Sequence, residues 1–277
     1  RPNSCFEATL GPTYDGLRHE PVVPAANQPV IVSLHAEDPD GIRAMQLWFS
    51  VNGGAFSKVA MTHQGDGLYQ GTIPGQAASA TVQFYVEGRD ALGVISAFPA
   101  SGAASRALYR VQDNQARLGT LHNFRIIMTP ADASLLHSNA NLMSNDRLGA
   151  TVVYDESEVF YNVGVRLKGT PYSRPYDQFV SFIVYFQPDH KFRGIHDSVE
   201  IDRSARGPVG TPQVDEIVIK HVLNHAGGVA SLYDDIVRVI APRSQNTSVA
   251  LLMLDRYDSL YLDSQFDQGS SLPVHEF

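Results

Sequence analysis

Along the first hundred residues, apolar positions alternate with polar ones in short runs separated by turn-forming residues. Val30, Val32, Leu34 and Ala36 fall on one face of the run from Pro29 to Asp38, the pattern of a half-buried strand. Asp38-Pro39-Asp40-Gly41 then reads as a turn, since proline fixes φ and glycine supplies the freedom to close it. Met45 to Val51 predicts the next strand and Asn52-Gly53-Gly54 a hairpin. Phe56–Thr62, Leu68–Ile73, Thr81–Glu87 and Ala107–Val111 predict further strands, with Gly65-Asp66-Gly67 and Pro74-Gly75 between them. Short strands at this spacing predict a β-sandwich. By alternation its core takes Trp48, or Leu47 and Phe49, together with Phe84 or Tyr85. The preceding residues are punctuated by Pro2, Gly11-Pro12, Gly16, Pro21 and Pro24 and read as a linker.

Beyond Val111 the pattern mixes periods. Phe124–Met128 predicts a strand, and Thr129-Pro130-Ala131-Asp132 starts a helix running toward Leu142. Ala150–Tyr154 and Val159–Leu167 predict a hairpin, Gln178–Phe186 another strand and Val199–Asp202 a short one. The stretch from Thr211 to Phe266 organises this half. Thr211-Pro212 and the acids Asp215 and Glu216 open a helix whose apolar stripe is Val214, Ile217, Val218, Val222 and Leu223, and Gly227-Gly228 ends it. Ile236–Ala241 and Val249–Leu254 predict a strand pair with Asp255 at its end, followed by a short helix or turn from Tyr257 to Phe266. Sheet and helix together predict an α+β domain. The organisation expected is a linker over residues 1–24, a sandwich over 25–115 and an α+β domain over 116–277.

Composition narrows the function classes. The chain has 277 residues, enough for two domains, and its 43% apolar content is that of a globular protein. A formal charge of −8 argues against a nucleic-acid partner, which needs a basic face for phosphates. No apolar run is long enough to span a membrane. The opening Arg1-Pro2-Asn3-Ser4 lacks both an initiator methionine and an apolar segment, so a piece of a longer protein is expected. Cys5, the single cysteine, allows no internal disulfide and leaves the compartment open.

Several segments, taken in order, carry a family resemblance. They are Asn162-Val163-Gly164-Val165-Arg166-Leu167-Lys168-Gly169, Ser181–Phe186, Val199–Ser204, the helix ending Asn224-His225-Ala226-Gly227-Gly228, Asp235–Ile240 and Leu252-Met253-Leu254-Asp255-Arg256. This order resembles the spore-coat CotH kinase-like family. Asp38-Pro39-Asp40-Gly41, Gly71–Gln76 and Phe84-Tyr85-Val86 resemble the immunoglobulin-like module that precedes CotH domains in large bacterial exported proteins. The resemblance implies an all-β immunoglobulin-like sandwich followed by an incomplete α+β kinase-like domain, on a secreted or cell-surface bacterial protein. It implies binding of ATP and magnesium and transfer of phosphate to protein hydroxyls.

Carried over residue by residue, the resemblance puts the catalytic acid at Asp255, where the family has a glutamate, and the phosphate-binding cations at Arg166 and Lys168. Phe179 and Val180 stand where the family has lysines, and the family's metal-binding aspartates lie in a segment later than residue 277. Two function classes follow. One is a structural or interaction module with a degenerate kinase-like domain, taking protein or cell-surface partners or self-assembling. The other is an ATP-dependent atypical protein kinase completed by aspartates beyond residue 277. No metal site is assigned. His221 and His225 have zinc-ligand spacing but lack the glutamate of H-E-x-x-H. Asp38, Asp40 and Asp66 sit in turns, which favour aspartate with or without calcium.

Overall fold

The computed structural model describes residues 10–117, 119, 121–177, 179–203, 215–226, 231–254 and 259–271. The chain divides into two compact units, Arg1–Asp113 and Asn114–Phe277.

The first unit is a two-sheet β-sandwich. One sheet has the order β1 (Thr13–Glu20), β2 (Val30–Glu37), β6 (Leu68–Ile73), β5 (Thr62–Gly65). The other runs β4 (Ser57–Ala60), β3 (Ile42–Val51), β7 (Thr81–Asp90), β8 (Ile95–Phe98), with β9 (Ala107–Arg110) also paired to β7. Alternation buries Val30, Val32 and Leu34 from one sheet against Met45, Leu47, Val82, Phe84 and Val86 from the other. Leu47 and Phe84 take the core positions. Trp48 lies on the opposite face, stacked on Tyr85 at 6.0 Å with the Lys58 ammonium over its ring.

The stretch read as a linker contributes β1, which pairs antiparallel with β2. Its period-2 signal is broken by Gly16 (φ +62) and a register shift between Asp15 and Arg18. Tyr14 anchors it, donating to the Ser96 carbonyl at 3.0 Å across a surface that Gly88 leaves open.

The second unit corrects the α+β expectation. It is a closed seven-stranded barrel, and the described residues are 46% strand and 14% helix. Around the barrel run β10 (His122–Ile127), β11 (Leu148–Tyr154), β12 (Glu158–Lys168), β13 (Ser181–Tyr185), β14 (Ser198–Asp202), β16 (Ser248–Met253) and β15 (Asp234–Ile240). All neighbours are antiparallel except β10 and β15, which pair in parallel from His122↔Val237 to Arg125↔Ile240. The interior is filled by Phe124, Val152, Val163, Val165, Leu167, Phe182, Val184, Ile201, Val239 and Leu252. Phe192 closes one end against Phe124, Phe160, Phe186 and Tyr154, with ring centroids 5.0–5.9 Å apart.

Helices are minor here. The α1 helix (Pro130–Leu136) starts as expected: Thr129 Oγ1 accepts from the Asp132 N–H at 3.1 Å. The α2 helix (Asp215–Ala226) has no buried residue. Its expected core stripe is split instead: Val218 and Val222 are 55% and 57% exposed, beside Ile219 at 59%, while Ile217 and Leu223 are half-buried. Val214 and the Gly227-Gly228 terminus lie outside the described residues. The last helix, α3, covers Ser259–Gln265. A kinase-like α+β domain needs helices that share the core. Here the strands bury their inner faces against one another, and among the described helices only α1 reaches that core, through Leu136.

His19 supplies a test of the sandwich. Its ring packs against Tyr109 and Phe84 at 5.3 and 5.7 Å, with Nε2 3.0 Å from the Val22 carbonyl. Burial disfavours the imidazolium and lowers its pKa to about 4. Between about pH 6.5 and 4 the unfolded state therefore binds more protons than the folded one. Stability is full above that window and falls by about 3 kcal/mol as pH drops through it. Urea unfolding followed by Trp48 fluorescence should show this slope in the native chain and a flatter one in His19→Gln. Equal slopes would rule out His19 as its source.

Candidate functional site

The candidate cations lie on the outer face of the barrel, because Val163, Val165 and Leu167 take the inward positions of β12 and leave Arg166 and Lys168 pointing out. The two do not converge. Arg166 donates from Nε to the Tyr185 hydroxyl at 3.1 Å and from Nη1 to Asn145 Oδ1 at 3.2 Å. Beside it Arg147 lies over the Tyr185 ring at 3.6 Å. Arg174, buried in the following loop, donates to the carbonyls of Gly169, Leu142 and Ser144 and to Asn145 Oδ1. Its pKa is lowered by desolvation and by the neighbouring Arg166. These guanidiniums fasten a loop to the barrel wall.

Lys168 turns the other way. Its ammonium reaches across β13 to β14, 2.8 Å from Asp202 and 3.0 Å from Glu200, with Met253 Sδ at 3.3 Å. Ile183 and Leu251 on this outer face are themselves buried, so the network is partly desolvated. Burial opposes the charge on Lys168, but the two carboxylates outweigh it and raise the pKa. A second group adjoins it through register, since Met253 pairs with both Glu200 and Asp234. Asp234 is wholly buried as a side chain and meets Lys220 of α2 at 2.5 Å, while Glu216 completes the helical pair at 2.7 Å. Burial raises the Asp234 pKa against the pull of Lys220, and its Oδ1 has no hydrogen-bond partner.

Sequence reasoning found Lys168 but missed its partners. Glu200 and Asp202 were legible only as polar positions in a strand, and Asp234 lay outside the strand read from Ile236 to Ala241. Their convergence depends on β13 and β16 lying between residues far apart in the chain. Asp255 lies outside the described residues, so its distance from either cation does not enter here. Val180, at a position where the family has a lysine, points into the barrel core, where an ammonium would be unpaired. Phe179 meets Tyr176 edge-to-face. His221 and His225 stack at 4.1 Å, and His225 Nδ1 is bonded to the His221 carbonyl. Among the described residues they belong to no group of three metal-ligating side chains. Asp66 lies in the β5–β6 turn at φ +48, where its carbonyl meets His35 Nδ1. No helix among the described residues is long and apolar enough to cross a membrane.

No protein-family model matches the chain, and no curated protein does. Among solved structures it is similar to BhCBM56, crystallised as a Br derivative, at 13% identity and a TM-score of 0.24 over 37% of this chain and 91% of that one. It is also similar to two structures from Listeria monocytogenes. One is a cycloalternan-forming enzyme in complex with pentasaccharide substrate. The other is an uncharacterised protein of strain EGD-e in complex with α-D-glucose, β-D-glucose, magnesium and calcium. Each is 10% identical with a TM-score of 0.28, over 69% of this chain and 17% of that one. The chain thus spans about a sixth of those two proteins. At these scores neither their folds nor their ligands inform this chain.

Removing the Lys168 ammonium should expose what it holds together. Lys168→Met leaves Glu200 and Asp202 facing each other without a cation and should cost about 2 kcal/mol. That is below the 3–5 kcal/mol of a fully buried pair because these groups retain some solvent. Urea denaturation at low and high salt measures it. A loss near zero in both would show the network to be a solvated surface feature.

Proposed function

We propose that this chain is a non-catalytic structural or interaction module of a secreted or cell-surface protein. The observation that carries this reading is the charge balance around Lys168. One ammonium lies between two carboxylates, and the adjoining Lys220 lies between two more. Four acids against two lysines leave a local excess of two negative charges. A nucleotide phosphate approaching this face meets repulsion where phosphoryl transfer needs cations. Val180 closes the other route, since a lysine there would point into the barrel. The order of segments that resembles the CotH family supports the exported setting.

The interface this module would use includes α2, whose Val218, Ile219 and Val222 form an exposed apolar face of the kind that marks protein contacts. A second copy is the simplest partner, because a twofold axis lets one helix face serve both sides.

Two measurements follow. Calorimetric titration of ATP with magnesium into the chain should show no saturable heat. Binding that disappears in Lys168→Met would overturn the reading in favour of the phosphoryl-transfer alternative. Sedimentation velocity should show concentration-dependent association that Val218→Lys with Val222→Lys abolishes. A chain that stays monomeric throughout would remove the self-assembly arm.

A further inference from the structure

At one end of the sandwich two turns converge, and we propose that they form a calcium site held by Asp38, Asp40 and Asp90. The first turn, Asp38-Pro39-Asp40-Gly41, carries the chain from β2 to β3. Asp38 Oδ1 accepts from the Asp40 N–H at 2.8 Å, and the Gly41 N–H donates to the Asp38 carbonyl at 3.0 Å. Gly41 sits at φ +84, a conformation a side chain would strain. The second turn begins at Asp90, the last residue of β7, whose Oδ1 accepts from the Val94 N–H at 2.7 Å. The Ala91 N–H donates to the Gly41 carbonyl at 2.9 Å and ties the two turns together.

One carboxylate oxygen from each of the three aspartates lies within 4.8 Å of the other two, the span available to two oxygens each about 2.4 Å from one calcium ion. The decisive atoms are the second oxygens of Asp38 and Asp90. Both are buried and have no hydrogen-bond partner, and Asp90 is 0% exposed. None of the three aspartates has an ion pair among the described residues. Buried carboxylate oxygens that lack a donor, on acids gathered into one group, are costly unless a cation joins them. The ligand set is oxygen only, which selects a hard ion over zinc or copper. Ligands from a turn and a strand end, the latter fully dehydrated, suit the irregular six-to-eight-oxygen shell of calcium. Magnesium demands a strict octahedron and keeps its waters. Asp66, the other turn acid, is not in the group.

A bound calcium would clamp the β2–β3 turn to the β7–β8 turn and stabilise the sandwich by mass action. The experiment is thermal unfolding of the full chain followed by Trp48 fluorescence, which reports the sandwich because this is the chain's one tryptophan. Between EDTA and about 2 mM calcium chloride the transition should rise by about 5 °C. Calorimetry should count one ion per chain. Asp90→Asn should abolish the rise, and Asp66→Asn should keep it. If Asp90→Asn does not fold, the exposed Asp40→Asn should weaken calcium affinity about tenfold with the fold intact. The assignment is overturned by no shift and no heat at millimolar calcium. It is equally overturned by an equal response to magnesium, or by a full calcium response in both Asp90→Asn and Asp40→Asn.

Discussion

The second unit depends on one pairing, that of β10 with β15. Seven strands cannot close a ring with every neighbour antiparallel, because directions that alternate around an odd number of positions clash where the ends meet. One parallel pair is therefore required, and it falls between His122–Arg125 and Val237–Ile240, more than a hundred residues apart. Closure removes both sheet edges, which would otherwise carry unpaired backbone groups. It also aims Phe124, Val163, Val165, Phe182, Val237 and Leu252 at a common interior. Near the seam, Arg125 is almost wholly buried and forms a two-pronged pair with Glu156, at 3.1 and 2.9 Å. A buried guanidinium is tolerable only with such a partner.

Because the interior is apolar and filled, chemistry on the barrel is confined to its outer face and rims. There the same closure decides which charges meet. The long stem of Lys168 lets its ammonium cross β13 and settle between Glu200 and Asp202 of β14. Met253 on β16 then links that group by register to Asp234 and, through Lys220, to α2. The helix makes ionic contacts to the barrel here, while Val218, Ile219 and Val222 face solvent. Arg166, two residues from Lys168, serves instead with Arg147 and Arg174 to hold the 142–147 segment against Tyr185. Neighbouring cations on one strand thus do different work.

The sandwich shows the complementary case, in which acids gather without cations. Its β2–β3 and β7–β8 turns are short because the strands they join end at nearly the same level. Ile42 pairs with Asp90, so the acids flanking each turn come to one end. Turn chemistry explains Asp38 and its hydrogen bond to the Asp40 N–H. It explains one oxygen of Asp90, which accepts from the Val94 N–H, but not the other, which is buried without a donor.

Local chemistry in the sequence determined β2, β3, β6, β7 and β9 of the sandwich, the Asp38–Gly41 turn, the Thr129 helix start and the β11–β12 hairpin, but not β8 or the division of Phe56–Thr62 between β4 and β5. Each rests on period-2 burial, turn residues or a capping side chain, all of which act over a few residues. That Arg166 and Lys168 share a face was equally legible, since alternate residues of a strand point the same way. Only the tertiary structure decided that the second unit is a barrel, because a strand that pairs in parallel with a distant one has the same local pattern as any other. It alone decided that Val218 and Val222 of the α2 stripe face solvent, since amphipathic spacing identifies an apolar face without saying whether anything covers it. It also decided that Lys168 belongs to Glu200 and Asp202, and that Asp90 joins Asp38 and Asp40. Those partners are set by register between separate strands, and register is fixed by the packing of the whole core.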